Sequence, residues 1–138
     1  MLSEYQPYLV CMELNEKIPP PIKFSVNYSD DYYYASGSHF YGFSIQCLED
    51  ILSKYGYDLV KVQYNNCYII KSELNTFGSV GIADGYRDGY TNNTDKKKHF
   101  WYNKNVDCLQ QDDMPIEKKL KFIDNFFEEH VGKYSLEI

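Results

Sequence analysis

The sequence predicts an α/β fold. We expect a small mixed sheet, made of a parallel strand–helix–strand unit and an antiparallel hairpin return, with a helix at the C-terminal end. Three observations carry this expectation. The run Pro7 to Leu14 (PYLVCMEL) is short, apolar and ended by polar residues, as a buried strand is. Apolar side chains from His39 to Tyr55 recur at steps of three and four. Two apolar stretches then flank Asn65-Asn66, a pair that accepts positive φ in a tight hairpin turn. At 138 residues these elements belong to one domain, 1–138, with 72–138 an irregular region plus a terminal helix.

Each element has its own warrant. After the first strand, Asn15 to Pro21 (NEKIPPP) breaks the sheet, because prolines offer no backbone N–H donor. Phe24 and Val26 suit a short extended piece, and Tyr28 to Ser38 is a loop rich in Tyr and small polar residues. The helix from His39 to Tyr55 takes its start from Ser36 or Ser38 and its stop from Gly56, a residue suited to a left-handed C-terminal position. Tyr57 to Tyr64 and Cys67 to Lys71 form the hairpin. The stretch from Ser72 to Asn105 is irregular, punctuated by Asp84-Gly85 and Asp88-Gly89. Ile116, Leu120, Ile123 and Phe127 then align on one face of a helix from about Pro115 to His130, with Gly132 as its stop. A strand–helix–strand connection places the first two strands parallel in one sheet, with the third antiparallel to the second.

Composition excludes several classes. There are 14 Lys and Arg against 20 Asp and Glu, a net charge of −6, which disfavours a general nucleic-acid binder. Aromatics reach 17%, fifteen of them Tyr, which excludes the aromatic-poor disordered class. No apolar run is long enough for a membrane span, and no secretory leader is visible. The four cysteines form no CxxC pair, so free thiols and a cytoplasmic location are expected.

Several segments resemble one family. VCMELNEKIPPP resembles the late strand of FkbM-type S-adenosylmethionine-dependent methyltransferase-like proteins, where an apolar run ends in Glu-x-Asn before a proline-bearing loop. HFYGFSIQCLEDILSKYGYDLVKV resembles that group's next helix and strand, and NNCYIIKSEL its final hairpin strand. YRDGY, HFWYNKNVDCL and GKYSLEI are similar to the C-terminal extension of some members. The resemblance implies the C-terminal half of a Rossmann-like fold, S-adenosylmethionine as cofactor and a hydroxyl acceptor on a small molecule or sugar. The family's cofactor site needs a Gly-rich turn after a first strand and an acidic residue ending the second, and no such motif stands here. The expectation is therefore a substrate-side region that lacks the cofactor-binding half and is inactive alone. The alternative is a small α/β protein-interaction or structural module without catalysis.

An unpaired strand edge at 7–14 attracts another chain, so a homo-oligomer or a separate partner chain pairing there is expected. Candidate catalytic groups are Glu13 and Asn15, at the strand end where open α/β sheets place ligands, and His39, as a general base or stacking surface. The competing reading makes Glu13 and Asn15 a solvated strand end and His39 a loop hydrogen-bonder. Lys96, Lys97 and Lys98, beside Phe100 and Trp101, form the best local anion site; the competing reading is a solvated loop. His99 and His130 have no partner spaced for metal ligation, so no metal site is expected.

Overall fold

A computed structural model describes residues 2–31 and 38–138. Ser36 and most of the Tyr-rich loop lie outside the described residues. Among the described residues five strands form two sheets. β1 (Leu9–Glu13), β3 (Tyr57–Gln63) and β4 (Asn66–Lys71) make a three-stranded sheet in the order β1-β4-β3. β2 (Lys23–Val26) and β5 (Tyr134–Glu137) make a two-stranded sheet. The helices are α1 (Leu2–Tyr5), α2 (Leu48–Tyr55), α3 (Ile82–Tyr86), α4 (Lys96–His99) and α5 (Ile116–Phe126).

The expected parallel pairing is corrected. β4 lies between β1 and β3 and is antiparallel to both, so every pairing in this sheet is antiparallel. β1 and β3 do run in the same direction, as a strand–helix–strand connection requires, but the hairpin return is inserted between them. The turn is also one residue earlier than expected. Gln63 pairs with Asn66, and the left-handed residue is Tyr64 (φ 56) rather than an asparagine. Tyr64 is held there by a backbone bond to the Gly89 carbonyl (3.0 Å) and by ring contacts with His99 and Phe100.

The helix expected from His39 to Tyr55 is half as long. Residues 39–44 are not helical, a single 3-10 turn spans Ile45–Cys47, and α2 follows. Tertiary bonds claim the missing part. The Asn15 amide donates to the Phe43 carbonyl, and the Ser44 amide donates to the Phe24 carbonyl. Ser44 Oγ accepts from the Phe24 amide and donates to the Ile22 carbonyl. These bonds tie the segment to β2 and outweigh its helical periodicity. Gly56 does end α2 in the left-handed region (φ 67, ψ 51).

Two cores result. The first lies between the three-stranded sheet and α2, and holds Val10, Leu14, Leu48, Leu59, Val62 and Ile69. The second lies between the two-stranded sheet and α5, and holds Ile18, Ile22, Phe24, Phe40, Ile123 and Phe127. α5 therefore does not cover the first sheet. β5, which the sequence reading omits, closes the second core by pairing with β2 from Lys23↔Glu137 to Val26↔Tyr134.

The edges of the three-stranded sheet differ. The outer edge of β3 is covered: the Val80 amide donates to the Leu59 carbonyl (2.8 Å) and the Tyr64 amide to Gly89. Among the described residues β1 ladders only with β4, which leaves its other edge open. Leu9 and Cys11 on this strand are exposed, Leu9 by 59%.

Candidate functional site

The chain passes from the first core, at Leu14, to the second, at Ile18, through three buried polar residues. These are Asn15, Glu16 and Lys17. Glu16 and Lys17 side chains are 0% and 2% exposed, with Lys17 Nζ 3.3 Å from Glu16 Oε1. A buried ion pair needs further hydrogen bonds to offset its desolvation, and they are present. Tyr41 donates its hydroxyl to Glu16 Oε2, and Asn103 Nδ2 donates to Glu16 Oε1 (2.7 Å). Lys17 Nζ donates to Tyr41 Oη (2.7 Å) and to Asn15 Oδ1 (3.4 Å), and lies 4.0 Å from the Tyr41 ring centroid. Tyr86 donates to the Glu16 carbonyl, and Gln110 Nε2 donates to Tyr86 Oη and to the Lys17 carbonyl.

Burial sets the protonation states. Burial lowers the Lys17 pKa, an effect that the neighbouring Glu16 carboxylate opposes. Burial and the Glu16 charge raise the Tyr41 pKa far above the ordinary phenol value, so its hydroxyl remains a donor. The proton order is thus ammonium to phenol oxygen, phenol hydroxyl to carboxylate.

The sequence candidates fall around this network. Asn15 is buried, and its Nδ2 donates to the carbonyls of His39 (3.0 Å) and Tyr41 (2.9 Å). It therefore holds the 39–41 segment in place. Glu13 is exposed at the end of β1, where Oε1 accepts from Asn65 Nδ2 (2.9 Å) and braces the β3–β4 turn. His39 meets Asn15 through its backbone only. Its ring packs between Tyr102 and Phe126 and does not stand at a helix start. The structure thus joins Asn15 to His39 but does not join either side chain to that of Glu13 by a hydrogen bond.

The His39 ring shares a cavity of about 230 Å³ with His130. Nδ1 of both rings is buried without a hydrogen-bond partner. Burial lowers the His39 pKa, and the Lys17 charge lowers it further. No group of three potential metal ligands occurs among the described residues.

The lysine run lies on α4. Lys96 is engaged: its Nζ donates to the Thr91 carbonyl (2.7 Å) and stands over the Tyr90 ring. Lys96 and Lys97 line a cavity of about 240 Å³, whereas Lys98 does not.

Sequence reasoning missed Glu16, Lys17, Tyr41, Tyr86, Asn103 and Gln110. The available signal was two adjacent charges, Glu16-Lys17, set between apolar Leu14 and Ile18. No family model, curated protein or solved structure matches the chain. No helix of the described residues is long and apolar enough to cross a membrane.

Proposed function

We propose that this domain is the substrate-side region of a methyltransferase-like assembly, completed by a partner chain that supplies the cofactor-binding half. The observation that carries the reading is the open edge of β1. From Leu9 to Met12 the strand carries no charge or proline to discourage strand addition, and its one charged residue is Glu13 at the end. The opposite edge of the same sheet is capped by residues 80–89. By the resemblance, a methyltransferase sheet continues past the strand that β1 resembles, and the open edge of β1 supports a partner pairing there. Two co-directional strands joined through a helix, followed by an antiparallel return, support the same reading. Within it, S-adenosylmethionine comes from the partner and the acceptor is a hydroxyl of a small molecule or sugar. Glu13 and the His39 ring are the groups to test at the reacting end, since Asn15 is occupied by backbone carbonyls.

A second reading is favoured by the closed state of the polar network. Glu16 and Lys17 are sealed from solvent and matched within the chain, as in a structural or protein-interaction module.

The test pairs calorimetry with affinity capture. The chain alone should give no heat with S-adenosylmethionine. Capture from source extract should recover a chain that binds S-adenosylmethionine, and the recovered complex should methylate a hydroxyl acceptor. Cys11→Lys, on the open strand, should lose that partner without moving the urea midpoint. Recovery of a partner without methyl transfer favours the interaction module. Binding of S-adenosylmethionine by the isolated chain overturns the proposal.

A further inference from the structure

The cavity beside α4 combines three chemistries in one place. Its cationic wall is Lys96, Lys97 and Lys104, against a single anionic residue, Asp107. Its aromatic wall is Tyr90, Phe100 and Trp101. Trp101 is 71% exposed, so its ring is accessible for stacking. Its polar wall is Asn103, which is only 2% exposed.

Asn103 gives an independent pointer. Its Nδ2 is used on Glu16 and on Tyr90 Oη (3.1 Å), but its Oδ1 is buried with no hydrogen-bond partner. A buried acceptor left unmatched is costly, and a ligand donor would remove that cost. The cations are also poised for an anion. Lys97 and Lys104 make no ion pair among the described residues. Burial lowers the Lys96 pKa, an effect that the Asp107 carboxylate opposes and the Lys97 charge adds to.

We propose that this cavity binds a nucleoside monophosphate carrying an exocyclic amine. The base stacks on Trp101, its amine donates to Asn103 Oδ1, and the phosphate meets Lys97 and Lys104. Asp107 accepts from a sugar hydroxyl. The volume, about 240 Å³, leaves no room for a long ligand. A polymeric nucleic acid is disfavoured by the chain's net charge of −6.

The chain has one Trp, so Trp101 fluorescence reports this site alone. Adenosine monophosphate is titrated into the full chain with excitation beyond the absorption of the base. Saturable quenching with a Kd at or below about 1 mM is expected. Adenosine and inorganic phosphate should each bind at least about tenfold more weakly, because each uses one wall only. Inosine monophosphate, which has no exocyclic amine, should bind about fivefold more weakly. Lys97→Gln with Lys104→Gln should weaken binding at least about tenfold with an unchanged urea midpoint, both lysines being solvent-facing. Absence of saturable quenching overturns the proposal. So does equal affinity for inorganic phosphate, for inosine monophosphate or in the double variant.

Discussion

At the scale of single residues, Glu16 and Lys17 are the unusual pair. Both are sealed between two apolar cores, and each is matched only because Tyr41, Asn15 and Asn103 complete its hydrogen bonds. Removing one charge strands the other. Lys17→Met should therefore cost about 3–5 kcal/mol, read from urea denaturation. The double change Glu16→Gln with Lys17→Met should recover much of that loss, because neither charge is then left alone. A Lys17→Met variant as stable as the parent would contradict the assignment. This network was not legible in the sequence. Tyr41 lies 25 positions from Glu16, Tyr86 lies 70 and Asn103 lies 87, and no local period links them. Asn15 could be noticed as a strand-end polar group, but its role required the carbonyls of His39 and Tyr41 to arrive beside it.

Among the elements, legibility follows how local each determinant is. The hairpin, β1 and α5 announce themselves through alternation, an apolar run and a one-face stripe, and all three form close to the expected bounds. The first half of the expected 39–55 helix fails because Ser44 and Phe43 bond to β2 and to Asn15. β5 is too short and too close to a glycine to stand out. The covered edge of β3 gives a sharp test. A Cβ placed on Gly89 would collide with the Val62 carbonyl oxygen, so Gly89→Ala must push the capping segment off β3. Gly56 has positive φ but open space around it. Gly56→Ala should cost only about 1–2 kcal/mol, the left-handed penalty. Gly89→Ala should cost more and should raise amide exchange in β3, a difference that native-state exchange would resolve.

For the whole molecule, stability should depend on pH through buried acids. Tyr41, Tyr86 and Tyr90 each carry a pKa raised above the ordinary 10.0, chiefly by burial. Cys67 is raised from 9.0 to about 12 by the same cause. A group with a raised folded value contributes fully below its unfolded value and loses that contribution as pH climbs through the folded one. Lys17 and Lys96 have the opposite sign: their lowered folded values favour the folded state as pH rises toward 10.5. Above about pH 10 both lysines are spent, and three buried phenols and a thiol make the urea midpoint fall. Each group ionised only when unfolded contributes roughly 1.4 kcal/mol per pH unit to that fall. A midpoint that is flat between about pH 9 and about pH 11 would show that these groups are not buried as described. The pairing of β2 with β5 has a consequence in time. Asn27 and Gly132, which bond beside that sheet, stand 105 positions apart, whereas the β3–β4 hairpin closes across two residues. Loop closure over such a span is slow, because the chain must lose its freedom before any contact rewards it. The hairpin and α2 can assemble while the second core is still open, with Phe24, Phe40 and Phe127 unburied. In that interval the protein displays a strand, β2, whose ladder partner β5 has not arrived, and refolding yield should decline as protein concentration rises.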